Sequence, residues 1–172
     1  MPATRVRRVT QLSEGEIAQL SELLIAVVAS GASVGFLPPL TGEEADAYWT
    51  SVLGPGVILL VAEQAGRIVG TAQLHLALRA NARHRAEVAR VLVHPDHQRQ
   101  GIGRVLMAEI EAVARANGRT LLVLDTREGD AANAFYRSLG YREAGRIPHY
   151  ARSANGNLDA TVLYYKELVA GG

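Results

Sequence analysis

The segment from Gln98 to Gly103 has the sequence Gln-Arg-Gln-Gly-Ile-Gly and follows an apolar run at 91–93 and a His-Pro-Asp-His turn. This order predicts a strand, an anion-binding loop and the start of a helix. Glycine adopts positive φ values and lets backbone approach an anion, and the first helical turn has N–H groups without intrahelical acceptors. A pyrophosphate would therefore be bound largely by the main chain. The alternative is a glycine-rich turn that only leads a strand into a helix.

Two better-known nucleotide motifs are incomplete here. No Lys-Ser/Thr pair follows the glycines, so the lysine and the magnesium-binding hydroxyl of a P-loop are missing. Leu106 stands where a dinucleotide fingerprint would have its third glycine. The loop is therefore predicted to bind its anion in another structural context.

The elements around the loop follow from hydrophobic periodicity and turn signals. Capping boxes at 13–16 and 41–44 begin two helices, and a helix after Gly103 ends at Asn117-Gly118. Asp130 is predicted to cap a last helix over 131–139. Strands are predicted over 5–9, 57–63, 68–78, 87–93, 120–124, 141–147 and 161–168, with a hairpin turn at 64–67. The crossover through the helix after Gly103 makes the strands ending at Val93 and Leu124 parallel.

Composition narrows the functional classes. A chain of 172 residues with 48% hydrophobic content predicts one domain, residues 1–172. The absence of cysteine excludes disulfides, cysteine-ligated zinc and a thiol nucleophile. The charge of +1 and the lack of a basic, aromatic stripe argue against a nucleic-acid partner. Without a signal region or a membrane-length apolar run, we expect a cytoplasmic protein with no membrane partner. His94 and His97 fall short of a metal site, so no metal is expected.

Three segments resemble the GNAT superfamily of acetyl-CoA-dependent N-acetyltransferases: residues 91–103, the Asn-Ala-Phe-Tyr run at 133–136 and the Leu-Gly-Tyr run at 139–141. The resemblance covers nearly the whole chain. More narrowly, Gly-Ala-Ser-Val-Gly-Phe at 31–36, Arg-Ala-Glu-Val at 85–88, Leu-Asp-Thr at 124–126 and Ala-Phe-Tyr at 134–136 are similar to the tabtoxin-resistance acetyltransferases. Those enzymes acetylate an amino-acid-like β-lactam toxin.

The resemblance implies a mixed α/β, GNAT-like fold. Its central twisted, mostly antiparallel sheet is splayed between two parallel strands and flanked by about four helices. In the family, the pantetheine arm of acetyl-CoA occupies the splay like an added strand. The implied cofactor-binding residues are Val91, Leu92, Val93, Gln98, Arg99, Gln100, Gly101, Ile102, Gly103, Arg104, Asn133 and Tyr136.

Three residues are candidates for catalysis by attack of an amine on the thioester. Tyr136 stands at the family's tyrosine position and would protonate the departing sulfur, although a helical tyrosine can also pack in a core. Glu87 would share a strand face with Val91 and Val93 if no bulge intervenes, and would bind the substrate ammonium or relay its proton. Its alternative is a surface salt bridge with Arg85 or Arg90. Asp125, at the end of a buried strand, would bind substrate or cap its loop.

The acceptor is expected to be a small amine, because two carboxylates favour a cationic group. Phe36 and Tyr150 lie in regions that close over the acceptor in the family, so both are candidate substrate-binding residues. The leading candidate is an amino-acid-like toxin or antibiotic such as tabtoxinine-β-lactam. Alternatives are a polyamine, a protein N-terminal amine, or a non-catalytic module that senses acetyl-CoA. A strand near Tyr164 could pair across a homodimer.

Overall fold

The computed structural model describes residues 1–169 of the chain. The seven strands are β1 (Arg5–Val9), β2 (Val57–Gln64), β3 (Arg67–Leu76), β4 (Arg85–Val93), β5 (Leu121–Arg127), β6 (Arg142–Arg152) and β7 (Leu158–Glu167). The four α-helices are α1 (Glu14–Ala29), α2 (Gly42–Thr50), α3 (Ile102–Ala116) and α4 (Ala132–Ser138). Single 3₁₀ turns lie at Ala80–Ala82 and Pro95–His97.

All seven strands form one sheet in the order β1-β2-β3-β4-β5-β7-β6. Every neighbouring pair is antiparallel except β4 and β5, which are parallel, as the sequence predicts. The fold is therefore mixed α/β. The capping boxes predicted before α1 and α2 are both present. The hairpin between β2 and β3 turns through Ala65 and Gly66, both at positive φ.

The parallel strands separate soon after they begin to pair. β4 and β5 pair only from Arg85–Leu121 to Glu87–Val123. Beyond that point β4 stays paired with β3, and β5 stays paired with β7. The edges of β4 and β5 that face each other there have no strand partner, and we call the space between residues 88–93 and 124–127 the gap.

Helices cover the two faces of the sheet. On one face, which we call the α3–α4 face, the apolar stripe of α3 packs on alternate residues of β2, β3 and β4. On the opposite α1–α2 face, α1 and α2 enclose a second apolar core around the fully buried Trp49. The gap opens to both faces, so groups carried by the two helix layers can meet through the sheet.

A β-bulge in β4 changes which side chains share a face. Thr71 of β3 pairs with Leu92 and Gln73 pairs with Ala89, so β4 has one extra residue between these pairs. The bulge residue Arg90 has φ +52°. Before the bulge, Val88 packs in the core of the α3–α4 face; after it, Leu92 packs on the opposite face. Glu87 therefore lies on the opposite face from Val91 and Val93, because the bulge reverses the alternation.

Several predicted element boundaries were wrong, mostly where sheet pairing extends a strand. β5 does not end at Leu124: pairing with β7 continues it to Arg127, so Asp125 lies within the strand. β6 extends to Arg152 and includes Tyr150. Asp130 does not cap α4, whose N-cap is Ala131 without a side-chain hydrogen bond. The Asp130 carboxylate instead accepts a hydrogen bond from Arg127. Among the helices of residues 1–169, none is long and apolar enough to cross a bilayer.

Candidate active site

A cavity of about 410 Å³ lies at the gap, and we call it the central cavity. Its walls come from β4 and β5, from α4, from the segment after α1 and from the β6–β7 hairpin. Tyr136 reaches it from the α3–α4 face, while Glu87 and Asp125 reach it from the α1–α2 face. The three candidate catalytic side chains of the sequence analysis therefore line one cavity.

The glycine loop has the backbone of an anion-binding site. Arg99 and Gly101 have φ values of +61° and +79°, and Gly101 is the N-cap of α3. The first backbone hydrogen bond of the helix is donated by Val105 to the Gly101 carbonyl. Within residues 1–169, no acceptor is found for the N–H groups from 98 to 104. Free N–H groups at the positive end of a helix fit a pyrophosphate.

Gly103 also serves the packing of the helices. A Cβ atom at this position would lie 3.3 Å from the Phe135 ring, so the glycine lets α3 approach α4 closely. The Arg104 side chain also crosses to α4, where it donates to the Ser138 hydroxyl. The two helices are thereby held together at the end that borders the gap.

Gln64 anchors the loop and was missed at the sequence level, where it was assigned to a turn. Its buried side chain donates to Gln100 at 3.3 Å and to Thr4 at 3.0 Å. Its carbonyl oxygen lies 3.2 Å from Nδ1 of His97. A buried amide with several partners fixes a loop firmly, because leaving any of its polar groups unpaired is costly. The only available signal was a polar residue at the end of an apolar strand.

Tyr136 is buried, and its hydroxyl has no hydrogen-bond partner within the described chain. Its ring packs against the rings of Phe135, Tyr141 and Tyr164. Burial, with a smaller contribution from the charge of Asp125, raises the pKa of Tyr136 to about 12. The hydroxyl is therefore protonated at neutral pH and faces the cavity as a proton donor without a partner.

Asn133 holds the end of β5 against α4. Its amide nitrogen donates to the carbonyls of Arg127 and Asp130, both at 2.9 Å. Its oxygen accepts from the Tyr164 hydroxyl at 2.8 Å. Both amide hydrogens are thus used within the protein, so Asn133 acts on the cavity by positioning α4 and Tyr136.

The two carboxylates differ in their partners. Asp125 accepts a hydrogen bond from the Thr161 hydroxyl at 2.7 Å, which fixes its orientation at the cavity wall. Glu87 is exposed, and the structure gives its carboxylate no hydrogen bond or ion pair within residues 1–169. The salt bridge that was its alternative role is not formed with Arg85 or Arg90.

The two candidate lid residues occupy different environments. Tyr150 lines the central cavity and its side chain is 53% exposed, so it can contact a ligand. Phe36 packs edge-on against Tyr48, with ring centroids 5.2 Å apart, and belongs to the apolar core of the α1–α2 face. The neighbouring residues 32–35, rather than Phe36, line the cavity.

Arg127 connects the surroundings of the cavity and was not singled out by the sequence. Its guanidinium donates to Asp130, to the Ser153 hydroxyl and to the Gly31 carbonyl, each at 3.0 Å. These contacts join the end of β5, the segment after α1 and the β6–β7 hairpin. Arg127 therefore fixes the walls of the cavity on the α1–α2 face.

The two histidines of the turn before the loop have structural roles. His94 accepts a hydrogen bond from the Asp96 backbone, and its ring lies edge-on to that of His97. In the described part of the chain, no group of three or more His, Cys, Asp or Glu side chains has the arrangement of a metal site.

Comparison with known proteins identifies the family. Residues 55–143 match the model of the acetyltransferase (GNAT) domain. An uncharacterised N-acetyltransferase of Azospirillum brasilense is 34% identical over 131 residues, which cover 74% of this chain and 78% of that protein. The ribosomal protein bS18-alanine N-acetyltransferase of Escherichia coli is 35% identical over 79 residues, 45% of this chain and 53% of that enzyme.

Solved structures share the fold over almost the whole chain. The ribosomal-protein-alanine N-acetyltransferase of Brucella melitensis has a TM-score of 0.79 at 25% identity, covering 95% of this chain and 99% of that one. A Salmonella typhimurium protein assigned as an acetyltransferase and solved with its cofactor acetyl-CoA has a TM-score of 0.78 at 22% identity, covering 99% and 96%. Together with the domain match and the Azospirillum relative, this likeness leads to one conclusion: the chain belongs to the GNAT family of acetyl-CoA-dependent N-acetyltransferases.

Proposed function

We propose that this enzyme transfers the acetyl group of acetyl-CoA to the primary amine of a small amino-acid-like molecule. The observation that supports this most is the convergence of an unpartnered tyrosine hydroxyl and two carboxylates on one cavity, each from its own side of the gap. A proton donor on one side and ammonium-binding groups on the other match the needs of amine acetylation.

The main chain would bind the cofactor. The free N–H groups from Gln98 to Arg104 would hold the pyrophosphate, and Arg99 would add positive charge. The unpaired inner edge of β4 at Val91, Leu92 and Val93 would hydrogen-bond the pantetheine arm as an added strand. Acetyl-CoA, when bound, supplies a thioester carbonyl and a thiolate leaving group. This arrangement would direct the thioester to the gap beside Tyr136.

Tyr136 would act as the general acid. With a pKa raised to about 12, its hydroxyl keeps its proton over the whole neutral range and can donate a hydrogen bond to the sulfur as negative charge develops there. This hydrogen bond would strengthen as the C–S bond breaks, and the absence of another acceptor for the hydroxyl supports the role. Asn133 would contribute by holding α4 at the end of β5.

Asp125 and Glu87 would bind the ammonium form of the acceptor and draw its proton towards water. Asp125 is oriented by Thr161, so it suits binding; Glu87 is exposed, so it can pass a proton to solvent. Both positions agree with the expectation of a cationic acceptor group. Tyr150 would cover the acceptor from the β6–β7 hairpin.

The acceptor is proposed to be an amino-acid-like toxin or antibiotic, with tabtoxinine-β-lactam as the leading candidate. The four short segments that resemble tabtoxin-resistance acetyltransferases support it. They include Glu87 and Asp125, which line the central cavity. A cytoplasmic enzyme would fit this role. A homodimer could not form by pairing of the strand near Tyr164, because β7 is already paired on both sides, with β5 and β6.

A protein N-terminal amine is the second candidate acceptor. The likeness to the ribosomal-protein-alanine enzymes of Escherichia coli and Brucella melitensis favours it. This chain spans about half the length of the Escherichia coli enzyme in the sequence match. An open groove for a peptide would be required.

Thiol release from acetyl-CoA, measured over a panel of amines, tests the proposal. The panel should contain tabtoxinine-β-lactam, common amino acids, a polyamine and a peptide with N-terminal alanine. We expect turnover of an amino-acid-like amine, with Asp125→Asn raising KM for the amine about tenfold and Glu128→Gln, an exposed control outside the cavity, leaving it unchanged. Turnover of the peptide alone would replace the proposal by the second candidate.

A further inference from the structure

We propose that Arg90 binds a carboxylate of the acceptor, which makes the cavity selective for zwitterionic amines. This inference rests on the proposed transfer to a small amine and names the second charged group that the amine must carry. The sequence analysis names Arg90 only as an alternative ion-pair partner of Glu87, a pair that the structure does not form, and the family match assigns it no role. Three independent observations support the proposal: the backbone conformation of Arg90, the unpaired charge of its guanidinium and the residues around it.

The backbone places Arg90 at the gap. It is the extra residue of the β4 bulge, with φ +52°, a left-handed conformation that is strained for arginine. Non-glycine residues in such conformations cluster at functional sites, where surrounding structure maintains them. The bulge directs the Arg90 side chain to the α1–α2 face, where it lines both the central cavity and a second cavity of about 320 Å³ beneath α2.

The charge of Arg90 has no counter-ion in the part of the chain that the structure describes. The guanidinium takes part in none of the ion pairs or side-chain hydrogen bonds of residues 1–169, and its Nε atom is buried without an acceptor. The guanidinium lies over the face of the Tyr48 ring, 6.0 Å from the ring centroid. A partly buried arginine without an acceptor is unfavourable, and a carboxylate would satisfy two of its N–H groups at once.

The segment after α1 leaves room for this group. A Cβ atom on Gly35 would lie 2.8 Å from Nη2 of Arg90, so glycine permits the guanidinium to occupy its place against the loop. The same loop forms a wall of the central cavity. A ligand that enters the cavity therefore meets the guanidinium at the loop side.

The other charges of the cavity complete the pattern. Arg127 also lines it, but all three of its donating nitrogens are used by Asp130, Ser153 and Gly31. Among the described residues that line the cavity, Arg90 is thus the cation without a protein partner, while Glu87 and Asp125 offer negative charge to an ammonium. A molecule with an amine and a carboxylate a few atoms apart matches both charges; a polyamine matches only the carboxylates and is repelled by Arg90.

Paired acceptors test the inference. The amino acid that the parent enzyme acetylates best is compared with its own carboxamide, which keeps the amine and loses the negative charge. We expect the parent to prefer the carboxylate form by roughly 10- to 100-fold in kcat/KM, mainly through KM. Arg90→Gln should abolish the preference, Arg90→Lys should restore part of it, and KM for acetyl-CoA should stay unchanged in both.

Arg146→Gln is the matched control, because Arg146 is exposed, pairs with Glu143 and Glu128, and lies outside the central cavity. It should keep the parental preference. An unchanged preference in Arg90→Gln, with normal thermal unfolding of the variant, overturns the inference.

Failure of the proposed function can be distinguished from failure of this inference, because the parent enzyme would then acetylate no small amine at all. Calorimetric titration of the amino acid tabtoxinine-β-lactam into the CoA-saturated protein then decides the inference. Binding that is weakened at least tenfold in Arg90→Gln supports a carboxylate site. Absence of binding to the parent, or equal binding to both proteins, overturns it.

Discussion

The two faces of the gap offer different kinds of groups to the proposed ligands. On the α3–α4 face the proposed binding groups are main-chain N–H groups and strand edges, fixed by the helix start and by sheet pairing. On the α1–α2 face they are side chains, namely Glu87, Arg90 and Asp125, framed by two loops that Arg127 joins. Main-chain binding tolerates sequence change, whereas each side-chain contact is lost with one substitution. The first face suits an invariant cofactor and the second an acceptor that differs between relatives.

Replacing Tyr136 by Phe has the largest expected effect. It tests the side chain that lies where the two faces of the gap meet. Loss of the general acid should lower kcat about 100- to 1000-fold, with KM for acetyl-CoA within about twofold of the parent value. Tyr141→Phe is the control, because Tyr141 is also buried but donates to Glu111. Steady-state thiol release measures both. A kcat for Tyr136→Phe within threefold of the parent would leave the hydroxyl without a chemical role.

Arg127→Met should disturb the α1–α2 face alone. The substitution removes contacts with Asp130, Ser153 and Gly31, and we expect the free energy of unfolding to fall by about 2 kcal/mol, because charged hydrogen bonds are lost in a half-buried site. The amine KM should rise several-fold as the two loops loosen, while the Kd of acetyl-CoA stays constant. Urea unfolding, kinetics and calorimetry measure the three quantities.

Arg146→Met provides the comparison for Arg127. Arg146 is 45% exposed at its side chain and pairs with Glu143 and Glu128 on the surface, so its loss should lower the free energy of unfolding much less than the loss of Arg127. A weaker affinity of Arg127→Met for acetyl-CoA would show that the two faces are coupled and would break the distinction between them.

Gly101→Ala tests the α3–α4 face. The φ of +79° at Gly101 strains any L-residue, so the loop should move and the Kd of CoA should rise about tenfold. Gly118→Ala is a matched control at the other end of the same helix region, also at positive φ (+70°) and also with open space at its Cβ position. Both variants should lose similar stability, but only the first should lose affinity. Equal CoA affinities would mean that the loop does not hold the pyrophosphate.

The same contrast explains how much the sequence predicts. The glycine loop and the parallel pair were recognisable, because local turn chemistry and strand order determine them. Tyr136, Glu87 and Asp125 were singled out with the help of the resemblance to GNAT enzymes, and the structure places all three at the central cavity. The sheet face on which Glu87 lies was not predicted, because a β-bulge is seen only in the pairing between neighbouring strands. Arg90, Arg127 and Gln64 were also not recognised. Their roles depend on partners 25 or more residues away or on the absence of a partner, which no local pattern reveals.

The smallest expected effect concerns the exclusion of water from the Tyr136 hydroxyl on the α3–α4 face. Burial raises the pKa of Tyr136 from 10.0 to about 12, so the folded protein keeps a proton that the unfolded chain loses first. This contribution is complete below pH 10 and declines as the pH rises through 12. At pH 10.5 it should amount to a loss of about 1 kcal/mol relative to pH 8, by linkage. Urea unfolding at both pH values measures the loss, which should be smaller by that amount in Tyr136→Phe than in the parent. An equal loss in the two proteins would mean that water reaches the hydroxyl freely, and the contrast between a dry cofactor face and a polar acceptor face would no longer hold.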